Sequence, residues 1–156
     1  MEKRQQRLTP EQALQKVRQY CAYQERCHKE VKDKLYEYGL GTKDVEQLLS
    51  KLIEENYLNE ERFAIQFAGG KFRMKQWGRV KIRYELKSRQ VSEYCIRKAL
   101  RSIDGEAYET TMNKVFETKL KTLRSEKNVF IKKRKLQDYM LQKGYELDLV
   151  RELVNK

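Results

Sequence analysis

The chain has 156 residues, and its composition favours helices over sheet structures. It is 39% hydrophobic and 37% charged, with one proline and seven glycines, whereas a β-sandwich or barrel needs many more turn residues. The net charge of +12 favours a polyanionic partner: nucleic acid, an anionic membrane or an acidic protein surface. No apolar run approaches the ~18 residues of a membrane-spanning helix, and the amino terminus lacks a signal-peptide core. We therefore expect a cytoplasmic protein.

The three cysteines and the single histidine predict neither a disulfide framework nor a metal site. An odd number of cysteines without regular spacing indicates reduced thiols. Cys21 and Cys95 fall at apolar helix positions and are predicted to be small core side chains. Cys27 and His28 would supply only half of a tetrahedral zinc site, and no second ligand pair exists. We predict no metal and no cofactor.

The first three predicted helices begin and end at recognisable signals. Residues 9–12, Thr-Pro-Glu-Gln, form a capping-box pattern with proline at the first helical position. A second helix is predicted near residues 28–38, ending at Gly39 in a left-handed cap. A third helix begins at Thr42 and is expected to end at Asn56.

The next three helices surround a glycine pair and a basic segment. Asn59 is predicted to cap the fourth helix, which Gly69-Gly70 should weaken or bend because each glycine costs ~1 kcal/mol relative to alanine. Residues 71–76 either continue that helix or form a basic loop. A fifth helix is predicted over residues 78–89, and Ser92 is predicted to cap the sixth.

The last three helices follow a predicted break at Asp104-Gly105. Apolar residues within 115–123 predict a seventh helix, and residues 129–142 an eighth that ends at Gly144. A ninth helix is predicted near residues 149–154. Nine helices without a strand place the chain in the all-α class.

Apolar positions recur along the chain at shifts of 51 and then 54 residues. The helix-two pair Val31 and Leu35 falls on Ile82 and Leu86, and then on Leu136 and Met140. A three-helix unit of this size cannot bury its apolar face alone and should stack on its neighbours. We predict three tandem three-helix repeats, in residues 1–58, 59–103 and 104–156, forming an elongated curved array. A single irregular bundle with coincidental spacing is the alternative.

The excess positive charge is concentrated in the middle of the chain. Residues 59–103 hold 12 lysines and arginines against four acidic residues. Within residues 63–91 the only acid is Glu85. The cations of that stretch are the candidate binding residues: Lys71, Arg73, Lys75, Arg79, Lys81, Arg83, Lys87 and Arg89.

On the fifth helix, at about 100° per residue, Arg79, Arg83 and Lys87 form one cationic stripe beside the inward-facing Ile82 and Leu86. Such a stripe suits a phosphate backbone or an anionic protein groove. An ordinary solvated helix face is the alternative.

Nearby rings admit two interpretations. Phe72 and Trp77 could stack on bases, although packing in the core is favoured. The cationic stripe lacks the Asn or Gln that typically reads base edges, so sequence-specific DNA recognition is disfavoured. The sequence also contains no glycine-rich phosphate loop and no nucleophile–histidine pattern, so we predict a protein without catalytic activity.

The central segment resembles the bacterial RecX family. The resemblance is carried by residues 56–103, through YLNEERFA at 57–64, GRVKI at 78–82, ELK at 85–87 and Val91. The family pattern there is an acid, Arg, an aromatic residue and Ala, followed by Gly-Pro-x-x-Ile-x-x-Glu-Leu-x-x-Lys-Gly-Ile. Arg79 stands in place of the family's Pro and Gln90 in place of its Gly, which affects where the fifth helix starts and stops.

This resemblance implies tandem three-helix repeats and a function. RecX proteins bind RecA recombinase and its filament on single-stranded DNA, lie in the filament groove, and can also bind DNA, including double-stranded DNA. They typically inhibit ATP hydrolysis, strand exchange and the co-protease activity that triggers the SOS response. We therefore expect a monomeric, non-catalytic RecA regulator, and keep a sequence-independent nucleic-acid binder without a recombinase partner as the alternative.

Overall fold

The computed structural model describes residues 7–156, and in that range the chain forms nine α-helices and no strand. The helices are α1 (Pro10–Tyr23), α2 (His28–Glu37), α3 (Thr42–Glu54), α4 (Glu60–Lys75), α5 (Arg79–Ser88), α6 (Glu93–Arg101), α7 (Gly105–Thr122), α8 (Val129–Lys143) and α9 (Leu147–Val154). The all-α prediction is confirmed. We refer to α1–α3, α4–α6 and α7–α9 as the first, second and third repeats.

Several predicted helix starts are confirmed by their capping hydrogen bonds. Thr9 and Gln12 form the reciprocal capping box, since each backbone N–H donates to the other's side chain, at 3.1 and 3.2 Å. The Asn59 side chain accepts from the Arg62 backbone N–H at 2.9 Å. These side chains satisfy donors that have no partner inside the helix.

The two predictions at glycines have different outcomes. Helix α4 continues through Gly69-Gly70 to Lys75, so that residues 71–75 continue the helix, because its buried face packs on α6 and outweighs the ~1 kcal/mol cost of each glycine. The predicted break before Gly105 is present as a short non-helical link over residues 102–104, and Asp104 also caps α7, accepting from the Ala107 N–H at 2.9 Å. Helix α7 therefore begins at Gly105, earlier than the 115–123 stripe indicated, and also buries Tyr108.

The repeat predicted from sequence is present in the backbone itself. The residue just beyond the second helix of each repeat adopts a left-handed conformation: φ is +88° at Gly39, +61° at Gln90 and +98° at Gly144. These positions are related by the same shifts of 51 and 54 residues that align the apolar residues. The chain is thus an all-α helical-repeat protein.

The buried residues form two hydrophobic clusters. One lies entirely within the first repeat, and the other runs through the second and third repeats. The expectation that no single unit buries its own apolar face is therefore wrong for the first repeat, where Val17, Leu35 and Leu52 are fully buried among α1–α3. Cys27 is the one buried residue of the first repeat that belongs to the second cluster.

The second and third repeats meet where two helices join end to end. The N–H groups of Gly78 and Val80, at the start of α5, donate to the carbonyls of Lys143 and Gly144, at the end of α8, both at 2.9 Å. The N–H groups at the start of α5 and the carbonyls at the end of α8 have no partners within their own helices, and here they satisfy each other. The Tyr145 hydroxyl adds a 2.7 Å hydrogen bond to the Gln76 carbonyl.

The array is extended. Its accessible surface is 10785 Å², whereas a compact monomer of 18.9 kDa exposes about 8,300 Å². Within residues 7–156, no helix has the length and apolar character needed to cross a bilayer.

Candidate basic binding surface

The eight predicted cations lie on the second repeat in three different settings. Arg79 and Arg83 line a pocket between α5 and α6. Lys71, Lys81 and Arg89 lie over aromatic rings. The remaining three are exposed and form no ion pair within residues 7–156: Arg73, Lys75 and Lys87.

The pocket between α5 and α6, which we call the arginine pocket, has a volume of about 470 Å³. Two turns of α5 contribute two arginines to it, and two turns of α6 contribute two more. The pocket is lined by Arg79, Arg83, Arg97, Arg101, Leu100 and Ile103. Four arginine side chains around an apolar floor suit a phosphate group, because each guanidinium can donate two parallel hydrogen bonds.

Two of these four arginines have acidic partners. Arg79 donates to Glu146 at 2.9 Å and lies 3.8 Å from the centre of the Tyr108 ring, so it also holds the junction between repeats. Arg83 is paired with Glu93, and this hydrogen bond is the main reason that the pKa of the Glu93 carboxyl is lowered. Arg97 and Arg101 have no ion pair among the described residues.

The predicted preference of Phe72 and Trp77 for packing agrees with the structure. Phe72 is 9% exposed, and Trp77 packs edge-on against Phe67 with centroids 6.5 Å apart. Lys81 lies 4.6 Å from the Trp77 ring centre, and Arg89 lies 4.7 Å from the Phe67 ring centre. Cations over Phe67 and Trp77 and the burial of Phe72 favour packing over base stacking for these rings.

An open ring is nevertheless present on the same helix. Tyr84 is 70% exposed and lies on the face of α5 opposite the buried Ile82 and Leu86, with Lys87 about one turn further on. An exposed ring beside a cation that has no ion pair is a combination that single-stranded nucleic-acid sites use for stacking and phosphate contacts.

Sequence reasoning missed Arg97 and Arg101. It stopped at Val91, where the dense run of cations ends, although these two residues lie one turn apart on α6, opposite its buried face. Their four-residue spacing places Arg97 and Arg101 on one face of α6, and the packing of α5 on α6 brings that face to the pocket.

The cysteines agree with their predicted structural role. All three are free and buried. Burial raises the pKa of Cys21 and of Cys27 to about 11, which keeps both thiols protonated at neutral pH. Within residues 7–156 no group of three or more His, Cys, Asp or Glu side chains is placed to hold a metal ion.

A repeat of three-helix units with a cationic face on its second unit defines an all-α helical-repeat protein. Two family models match the chain: the second three-helix domain of RecX over residues 59–100 and the third three-helix domain of RecX over residues 106–154. Together they span more than half of the chain. The chain therefore belongs to the RecX family.

Curated relatives and solved structures agree with this assignment. Regulatory protein RecX of Clostridium perfringens (strain 13 / Type A) is 33% identical over 129 residues, covering 82% of this chain and 60% of that protein. Regulatory protein RecX of Prosthecochloris aestuarii is 26% identical over 144 residues, 92% of either chain. The chain thus spans about 60% of the length of the clostridial relative.

Two crystal structures share the fold. RecX from Lactobacillus salivarius superposes with a TM-score of 0.82 at 20% identity, over 94% of each chain. A second structure, of a regulatory protein RecX, gives a TM-score of 0.83 at 21% identity, over 94% of this chain and 71% of the other.

Proposed function

We propose that this protein regulates RecA recombinase by binding RecA and its filament on single-stranded DNA. In this proposal it inhibits ATP hydrolysis, strand exchange and co-protease activity, and so modulates recombinational repair and the SOS response. The observation that carries the proposal is the arginine pocket, four of whose six lining residues lie in the segment, residues 59–100, that matches the second RecX domain.

The surface around this pocket supplies the contacts that such binding needs. Arg97, Arg101 and Lys87 can each meet a phosphate or an acidic side chain without first leaving an ion pair. Arg83 can exchange the exposed Glu93 for a phosphate, since a solvent-exposed ion pair stabilises a fold only weakly. Tyr84 offers its ring to an unstacked base.

A sequence-independent nucleic-acid binder without a recombinase partner is the second candidate. The arginine pocket and the exposed Tyr84 ring favour it, because both features recognise phosphate and base in any sequence. In either case we propose a monomer that needs no cofactor and catalyses no reaction, acting in the cytoplasm, with repeat boundaries after residues 58 and 103.

A titration of the protein into preassembled RecA–single-stranded DNA filaments separates the two candidates. Inhibition of ATP hydrolysis at substoichiometric protein supports the regulator. Inhibition that requires saturated DNA, and that excess DNA relieves, supports the simple binder. The absence of any effect on RecA binding or activity contradicts the regulatory proposal.

Charge reversal then tests the surface itself. Arg83→Glu combined with Lys87→Glu should weaken DNA or filament binding and lower the slope of log affinity against log salt by about 0.7 for each single-strand phosphate that is no longer neutralised. Lys43→Glu in the first repeat is the matched control, since Lys43 is an exposed lysine outside this surface. Arg79 is left intact because it also holds the junction. A slope equal to the control's would remove these residues from the site.

A further inference from the structure

The third repeat differs from the other two in how its outer helices meet. In the first repeat α1 packs against α3, and in the second α4 packs extensively against α6. Helices α7 and α9 contact each other less than either of these pairs. Helix α7 has 18 residues and α9 has eight.

The space between α7 and α9 is a groove. Two adjoining cavities, of about 280 and 660 Å³, share Asn113, Leu153 and Lys156 and together run along α7. Their floor is apolar and consists of residues one turn apart on α7, with leucines from α9. The floor residues are Tyr108, Met112, Phe116, Leu120, Leu149 and Leu153.

Charge is distributed unevenly along this groove. At the end near the start of α8, the larger cavity is lined by three lysines and one acid, Lys132, Lys133, Lys156 and Glu117, beside the exposed Val129. At the other end Glu109 and Glu152 line the smaller cavity together with Arg79 and Lys156, so that its charges balance. A phosphate backbone laid along the groove would meet those carboxylates, so the charge pattern argues against nucleic acid. It favours a polypeptide with one acidic end.

We propose that this groove binds an amphipathic helix of a partner protein. Its aliphatic face lies on the Phe116, Leu120 and Leu153 floor, and acidic side chains at one end pair with Lys132 and Lys133. Helix α7 is about 27 Å long at 1.5 Å per residue, which accommodates several turns of such a helix in the helix-in-groove mode. This docking site is on the third repeat and does not depend on what the second repeat binds.

The probe is a fluorescein-labelled helical peptide of about 16 residues, with leucines every third or fourth position. One version carries glutamates in its first turn and another in its last turn, because the charge asymmetry of the groove should select one orientation. Fluorescence anisotropy should show saturable binding to the full chain, tighter for one version than for the other.

Variants of the full chain then locate the peptide. Lys132→Glu combined with Lys133→Glu should weaken binding of the preferred peptide at least tenfold, and should strengthen binding of a peptide whose glutamates are replaced by lysines. Val129→Asp should also weaken binding, whereas Val80→Asp should not, since Val80 is an exposed valine on α5 outside the groove. Circular dichroism verifies that each variant keeps its helix content.

Three results would overturn the proposal. The first is no saturable binding of either glutamate peptide. The second is equal binding of glutamate and lysine peptides to the unmodified chain, or a lysine peptide that binds the Lys132→Glu, Lys133→Glu variant no more tightly than it binds the unmodified chain. The third is a competition result: single-stranded DNA or anionic phosphatidylglycerol vesicles displace the peptide, and their own binding is weakened to the same degree in the Lys132 and Lys133 variant. That result would assign the groove to nucleic acid or lipid.

Discussion

Gly78→Ala should separate the second and third repeats at their junction. A Cβ at position 78 would lie 2.5 Å from the backbone nitrogen of Tyr145 and closer still to the Gly144 carbonyl. Those neighbours are backbone atoms at the end of α8, which cannot move aside as a flexible side chain would. The start of α5 must therefore shift away from α8.

The cost follows from the hydrogen bonds that cross this junction. The bonds from Gly78 N–H to the Lys143 carbonyl, from Val80 N–H to the Gly144 carbonyl and from the Tyr145 hydroxyl to the Gln76 carbonyl would all lengthen. At about 1 kcal/mol each, their loss lowers the free energy of unfolding by about 3 kcal/mol. For a chain of this size the melting temperature should fall by about 6–12 °C.

Thermal and urea unfolding followed by circular dichroism would measure this effect. Gly70→Ala is the matched control: a Cβ there meets nothing within 4 Å, and the position lies inside α4. It should leave the junction intact and stabilise the chain by up to about 1 kcal/mol. If Gly78→Ala unfolds at the same temperature as the unmodified chain, the close backbone approach described for this junction is wrong.

Three further predictions concern the core and its ionisable groups. Leu86→Asp should unfold the second repeat because it places a carboxylate at a fully buried site, whereas Tyr84→Asp on the exposed side of α5 should not; circular dichroism of a folded Leu86→Asp chain would contradict the assigned helix face. Burial raises the pKa of Tyr145 to about 12 and that of Tyr108 further, while unfolded tyrosine ionises near 10, so the native state retains protons that the unfolded state loses. Stability should therefore fall above pH ~10 by about 1.4 kcal/mol per pH unit for each buried tyrosine, and urea unfolding should give a shallower fall for Tyr145→Phe than for Tyr84→Phe. The three buried thiols should react with a disulfide reagent at pH 8 only as fast as the chain opens; rapid labelling under native conditions would show that they are accessible.

Helix positions could be predicted because short local sequence signals mark where the helices begin. The capping box at Thr9 and the caps at Asn59 and Ser92 each combine a short polar side chain with an apolar stripe, and all three occur as predicted. Asp104 carries the same signal, and the predicted break lies at the link between α6 and α7, but the apolar stripe over residues 115–123 predicts too late a start for α7. A glycine at the first position of a helix costs little, since few of that position's hydrogen bonds lie inside the helix.

The basic surface could be predicted only in part. The density of cations identified the second repeat, yet density does not show which cations already have partners. Arg79 stands in the predicted stripe beside Arg83, but its partner Glu146 lies far along the chain, in the third repeat. Arg97 and Arg101 reach the pocket only because α6 packs against α5. Such long-range pairings depend on tertiary contacts that periodicity does not contain.

The groove of the third repeat was likewise not predictable from the apolar pattern. Tyr108, Met112, Phe116 and Leu120 repeat every four residues, as a helix packed against another helix would. The pattern indicates that this face is covered or half-covered, but not by what. In the structure α9 has only eight residues, and Leu120, the last residue of this pattern, is only partly buried.

The two joints of the array differ mechanically. At one joint the ends of α8 and α5 are hydrogen-bonded backbone to backbone and the two repeats share one hydrophobic core, so that a load on one repeat is transmitted directly to the other. At the other joint, the first repeat keeps a separate core and is tied to the second by Cys27 and by the Arg62–Glu25 ion pair. A cleft of about 710 Å³ opens beside that tie. Under bending, the second and third repeats should act as one stiff lever, and the first repeat as an arm that pivots on it.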